Sequence, residues 1–215
     1  MSATASSGLP VALVDTPDAL ARTCERVAQA TRVALDTEFH TEKSYTPHLM
    51  VVQLLFDDGV ALVDPLALRD LRPLVDALAG ARVVGHALSS DLRILADAFE
   101  TLPREVYDTQ VAAAFAGYGL SISLLDLVRD LCGVTLRKSQ TVSDWSTRPF
   151  TAKQVEYLVD DVRYLFTLED RLRERLRARG AASRGPTRRC RRSSSCAPTA
   201  TTPSGCTCAC RATPA

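Results

Sequence analysis

A mixed α/β sheet flanked by helices is the fold that this 215-residue sequence predicts, on three observations. Residues 49–65, "LMVVQLLFDDGVALVDP", read as two strands around a Gly turn, which is a hairpin. Short apolar strands then alternate with helical segments, the pattern of an α/β layer structure. Hydrophobic residues make up 46% of the chain, enough for a sizeable core in one domain, or in one domain with an appendage.

The elements follow in order. "PVALV" (10–14) is a short strand. "TPDALARTCERVAQA" starts a helix, with Thr16 placed to accept from the first free N–H groups and Pro17 in the first turn. "RVALDTEF" is the next strand, and the hairpin follows it. "LRDLRPLVDALAG" predicts a helix ending at Gly80. "RVVGHA" predicts a strand, and "SSDLRILADAF" a helix capped by Ser89 or Ser90. "EVYDTQVAAAFAG" reads as a short strand leading into a helix, with Asp108 as its cap. "SISLLDLVRDLCG" is a helix ending at Gly133, and "TLRKSQTVSDWSTRPF" a polar loop. Thr151 and Gln154 stand three apart, the offset of a capping box, and open a last helix that runs to about Arg179.

The near-neutral balance of 26 basic and 25 acidic residues hides a split. Residues 181–215 hold Arg184, Arg188, Arg189, Arg191, Arg192 and Arg211 and no acid. Removing those six leaves 20 basic against 25 acidic residues in 1–180, a net charge of −5. An acidic body argues against a broad basic nucleic-acid surface, but not against a nuclease whose acids are neutralised by metals. The N-terminus lacks the pattern of a secretory signal, and no apolar stretch approaches the roughly 20 residues of a membrane span. Cys24 and Cys132 are the only cysteines of the body, so no disulfide framework is expected and the chain reads as cytoplasmic.

Residues 180–215 read as a disordered tail rich in Arg, Cys, Ser and Pro, since they contain no Val, Ile, Leu or aromatic residue with which to build a core. Cys206, Cys208 and Cys210 crowd together, but without the paired spacing or the His of a zinc site. The tail is built from residues whose codons all carry C or G in second position. This is the alphabet that a one-base shift draws from a GC-rich gene, so a frameshift near residue 180 is the expectation.

The chemistry lies in carboxylates. Asp36 and Glu38 stand two apart on a strand and therefore share a face. Burying such a pair is costly unless something compensates. Tyr157 and Asp161, four apart in "EYLVDDVRYL", share a helix face near its buried side. Asp91 opens another helix, where a carboxylate also has the plain use of complementing the helix N-terminus. Singly, each acid is ordinary. Together they supply the oxygen ligands that Mg²⁺ or Mn²⁺ prefers, and two such ions can stabilise both oxygens of a phosphodiester displacement.

The series "LDTEF", "HALSSD" and "YLVDD" resembles the three motifs of the DEDD exonuclease superfamily in its tyrosine branch. With "SYTPHLMVVQL", "YDTQVAAAFAG" and "GVTLRKSQTVSDWSTRPFTAKQVEYLVDDVRYL", it is most similar to the bacterial ribonuclease D family, over about residues 10–178. The resemblance implies an RNase H-like fold with five central strands, the second antiparallel to the rest. It implies 3′→5′ hydrolysis of single-stranded RNA 3′ ends, transfer RNA precursors among them, releasing nucleoside 5′-monophosphates. Asp36, Glu38 and Asp161 would hold the cation that activates water. Asp36 would also bind a second cation, with Asp91 nearby and partly acting through water, and Tyr157 would position the attacking water. In this family helical RNA-binding domains follow the nuclease domain, which the resemblance places at residues 10–179. Here the tail stands in their place, so those domains are expected to be absent.

Other residues are weighed beside their plainer uses. His86 is a candidate contact for the terminal nucleotide and, more plainly, a structural histidine at a strand end. Arg137, Lys138 and Arg148 are candidate phosphate contacts against ordinary solvation. Trp145, the sole Trp, is a base-stacking candidate whose plainer use is core packing. Gln53 lies in an apolar run, where a buried hydrogen bond is expected. Two rival functions remain on the sequence: a DNA 3′ exonuclease on the same fold, and a nucleic-acid-binding remnant without turnover.

Overall fold

The computed structural model describes residues 2–4, 8–40, 47–136 and 144–183. Residues 180–183, expected to begin a disordered tail, continue the last helix. The rest of the expected tail disorder, the frameshift, the cysteine group at 206–210, and Arg137 and Lys138 lie outside the described residues.

Among the described residues the sheet has seven strands, in the order β1-β2-β5-β4-β3-β6-β7. They are β1 (Ser2–Thr4), β2 (Pro10–Val14), β3 (Val33–His40), β4 (His48–Phe56), β5 (Gly59–Val63), β6 (Arg82–Gly85) and β7 (Glu105–Asp108). The five expected central strands are β3 to β7, and within them only the second, β4, runs antiparallel to its neighbours. Two further strands correct the expected count. β2 joins the edge of β5 in parallel, and β1 adds a three-residue antiparallel rim. The β2 contact is close: a Cβ on Gly59, at φ +148°, would sit 2.6 Å from the Pro10 carbonyl oxygen, which is why the hairpin turn ends on glycine.

Strand alternation divides the core. Val33 and Leu35 of β3, with Val52 and Leu54 of β4, face α1 (Pro17–Gln29), α2 (Arg72–Ala79) and α3 (Ser89–Phe99). Ala34, Val51 and Leu55 face the opposite layer, α4 (Thr109–Phe115), α5 (Leu124–Cys132), α6 (Ala152–Arg163) and α7 (Leu165–Ser183).

Three helix boundaries differ from expectation. α2 starts at Arg72, because Pro73 has no N–H and is tolerated only in a first turn. α3 has Leu88 at its N-cap, and neither Ser89 nor Ser90 caps it. Instead the Asp108 carboxylate, which caps α4 as expected, also accepts from the Ala87 and Leu88 N–H groups at 3.0 and 2.9 Å. The last helix breaks at Tyr164. The break lets α6 lie along β3, β4 and β5 while α7 packs on α4, α5 and β6.

At the start of β3 and β6, α7 is fastened by charge. The fully buried Glu169 carboxylate meets Arg32 at 2.9 Å, Arg173 at 2.8 Å and Arg82. Removing one partner from such a group leaves the others uncompensated. Glu169→Ala is therefore expected to cost about 3 kcal/mol of stability, read as a lowered midpoint in urea unfolding.

Candidate metal centre

Asp36 and Glu38 continue the face of β3 that carries Ala34, so both point toward the layer containing α6. On α6, Tyr157 and Asp161 stand one turn apart. The capping box at Thr151 and Gln154 fixes where this helix starts. Gln154 also donates to the Asp144 carbonyl at 3.3 Å, tying the helix to the loop before it. The result is a cluster in which carboxylate oxygens of Asp36, Glu38 and Asp161 all lie within 4.8 Å of one another.

Asp91 reaches the cluster from the other side of the sheet. Among the described residues β6 pairs with β3 only at Val33 and Ala34, which leaves the β3 edge beyond them without a strand partner there. α3 begins beside that edge, and Asp91 in its first turn, only 6% exposed, accepts a hydrogen bond from the Thr37 hydroxyl. Thr37 points away from Asp36 and Glu38 by strand alternation, and its hydroxyl fixes the fourth acid beside them. The sequence reading missed it. Its signal is a hydroxyl between the two acids of "DTE" on the strand edge left unpaired. Asp91 lies outside the three-carboxylate group, while its charge is felt by both Asp36 and Glu38.

The electrostatics follow from burial without a countercharge. Burial, then the charges of Asp161, Asp91 and Glu38, holds Asp36 well above the usual carboxylate range. Burial and Glu38 do the same to Asp161. Burial raises Asp91, opposed by the Thr37 hydrogen bond. Glu38 is pushed up to about 7 by burial and by Asp91, opposed by the Trp145 indole. Tyr157 is raised by burial and by the three acids around it, so its phenol keeps its proton.

These residues fit a divalent cation. The donor set is all oxygen, as hard cations require. Asp161 Oδ2 is buried without a hydrogen-bond partner among the described residues. Gln53, paired in register with Asp36 and fully buried, also has both amide atoms unpartnered among those residues, so the expected buried hydrogen bond is not made there.

The remaining candidates go elsewhere. His86 Nδ1 lies 2.9 Å from Thr109 Oγ1 and its Nε2 3.1 Å from the Ile122 carbonyl, which joins the end of β6 to α4 and the following loop. Arg148 spends its guanidinium internally. It donates to both Asp64 oxygens at 2.7 and 2.8 Å, and to the Trp145, Thr147 and Met50 carbonyls. Trp145 is 5% exposed, which leaves no open ring face for a base; its ring lies 5.6 Å from that of Tyr157.

A mixed sheet with acids gathered at the end of its central strand, facing a helix that carries Tyr and Asp, is an arrangement able to hold a metal ion, as in metal-dependent nucleases. A family model described as 3′-5′ exonuclease matches residues 11–177, and the chain belongs to that family. Exonucleases of this kind use divalent metal ions. Ribonuclease D of Escherichia coli strain K12 is 39% identical over 170 residues, covering 78% of this chain and 45% of that protein. Ribonuclease D of Xanthomonas oryzae pv. oryzae is 40% identical over 153 residues, 70% of this chain and 42% of that protein. The crystal structure of E. coli RNase D matches with a TM-score of 0.74. The catalytic core of RRP6 from Trypanosoma brucei matches with 0.72 at 26% identity, covering 84% of this chain and 52% of that one. The chain thus spans under half the length of these two curated relatives. The resemblance read from the motifs is borne out.

The raised carboxylates make a pH prediction. Glu38 holds its proton up to about 7 when folded, against an ordinary value of 4.5. The folded state therefore binds more protons than the unfolded one in that window, and stability is lost as pH rises through it. Asp144 and Asp170 are shifted down from 3.8, outside the window, whereas His86, lowered from 6.5 by burial, acts against the trend inside it and is outnumbered by Glu38, Asp36, Asp91 and Asp161, all raised. In EDTA the melting temperature is expected to fall between about pH 4.5 and about pH 7, and added Mg²⁺ to restore it at the alkaline end.

Proposed function

We propose that this chain is a metal-dependent 3′→5′ exoribonuclease of the ribonuclease D type, removing nucleoside 5′-monophosphates from single-stranded RNA 3′ ends. The observation that carries the reading is the convergence of Asp36, Glu38 and Asp161 within 4.8 Å, with Tyr157 one helical turn from Asp161. Support for RNA comes from the relatives, since E. coli RNase D is described as an exoribonuclease involved in structured RNA processing.

Asp36, Glu38 and Asp161 are the residues that would hold a cation on the water side, with Asp36 shared with a second and Asp91 beside it. Bound divalent cations make water nucleophilic near neutral pH and offset charge on the attacking and leaving oxygens. The chain's own groups do the rest. Tyr157, kept protonated by the acids around it, holds and orients the attacking water and does not act as its base. Thr37 keeps Asp91 from swinging away. The cations of this reading are two divalent ions, Mg²⁺ or Mn²⁺. Residues 10–179 form the exonuclease domain, transfer RNA precursors are substrates, and the site of action is the cytoplasm. Among the described residues no helix is long and apolar enough to cross a membrane.

Incubating the chain with 5′-labelled single-stranded RNA and Mg²⁺ is expected to give a ladder shortening from the 3′ end, lost in EDTA. Asp161→Asn is expected to abolish it with the fold intact by circular dichroism, whereas an active variant would overturn the mechanism. Tyr157→Phe, which loses the orienting hydroxyl, is expected to lower kcat about 100-fold. Faster degradation of a matched DNA strand would move the assignment to a DNA exonuclease.

A further inference from the structure

We infer that Gln53 is a positioning residue of the metal centre, its side-chain amide held beside Asp36 to donate to that carboxylate once a cation engages it. This rests on the reading that the carboxylates hold a cation.

Strand register places the amide. Gln53 lies inside β4, opposite Asp36 on β3 and opposite Leu62 on β5. Residues directly opposed on antiparallel strands share a face, with Cβ atoms about 4.5–5.5 Å apart. Val51 and Leu55, two residues to either side on β4, carry the same face into the core layer that includes Leu158 and Val162 of α6. On that face the strand neighbours of Gln53 are therefore Val51, Leu55 and Leu62, all buried and apolar, and Asp36. Asp36 is the one polar group among them.

The surroundings suit a Leu or a Met better than a Gln. The side chain is fully buried, and neither Nε2 nor Oε1 has a hydrogen-bond partner among the described residues. A buried amide left unpaired costs stability, and an apolar side chain of similar shape removes that cost. The fold alone thus gives the amide no use, whereas the cation site does. A carboxylate offers about four lone-pair sites on its two oxygens, so Asp36 can accept a hydrogen bond while it holds a cation. Nε2 is a donor placed directly across the strand pair for that bond. Oε1 accepts only, and suits the water that a hard cation carries. Asp161 Oδ2, also buried and unpartnered among the described residues, belongs to the same cluster as Asp36. Unused hydrogen-bonding capacity therefore gathers where a cation would bring charge and water. Outer partners of this kind fix the orientation of a ligating carboxylate, and their loss weakens metal binding about 10–100-fold.

Gln53→Met keeps an unbranched side chain and removes both polar atoms. Calorimetric titration of Mn²⁺ is expected to show at least about 10-fold weaker binding by the variant than by the unsubstituted chain. In EDTA the variant is expected to melt at the same temperature or higher, since it loses no hydrogen bond of the metal-free fold. A variant that melts lower in EDTA assigns the amide to the fold and overturns the inference. Equal affinity for Mn²⁺ overturns it too, while the metal reading stands. No binding by the unsubstituted chain overturns the metal reading itself, and the inference with it. A second test uses the unsubstituted chain, which has five Gln and no Asn. Its side-chain amides give five NH₂ pairs, and the pair absent from the variant belongs to Gln53. One proton of that pair is expected to move downfield as Mg²⁺ saturates the site. A pair that does not move overturns the inference.

Discussion

Repulsion among carboxylates gathered at one end of β3 is the constraint around which this molecule is arranged. Two carboxylate charges within 4.8 Å repel by at least about 3 kcal/mol at an effective dielectric near 20. The whole fold of such a domain is stable by only about 5–15 kcal/mol. Several such terms are borne by the packing on both faces of the sheet, relieved by protonation, or offset by a cation. The rise of Asp36, Glu38, Asp91 and Asp161 above the ordinary carboxylate range is the protonation route. The all-oxygen donor set provides the cation route.

The supports of the cluster come from separate parts of the fold, so no single element can relax it. β3 provides the rigid pair, and the short β6 leaves the edge open for Asp91. Asp108 fixes the start of α3 from β7. The Arg148–Asp64 pair holds the loop before α6, and the capping box sets where α6 begins. Opposite charges are used freely at the other end of β3, where Arg32, Arg82 and Arg173 surround Glu169. Among the described residues, none of the arginine ion pairs involves Asp36, Glu38, Asp91 or Asp161, so those pairs stabilise the fold away from the acid cluster.

Much of this was legible in the sequence because it depends on short-range rules. The period of two placed Asp36 and Glu38 on one face, the helical i, i+4 spacing joined Tyr157 to Asp161, and the capping box marked the start of α6. What was not legible depended on contacts distant in sequence. Nothing local shows that the chain entering α3 is held by Asp108, with neither Ser89 nor Ser90 capping the helix. Nothing local shows that Arg148 finds Asp64. The break at Tyr164 was missed because apolar residues continue through it in helical spacing, and only the need to pack on two different surfaces interrupts them.

The central claim is that this acid cluster is a cation site, and diffraction from crystals soaked in Mn²⁺ tests it most directly. An anomalous peak about 2.0–2.3 Å from oxygens of Asp36, Glu38 and Asp161 is the predicted result, that being the bond length of a small divalent cation to oxygen. Mn²⁺ bound only elsewhere, with these three side chains unchanged, would contradict it.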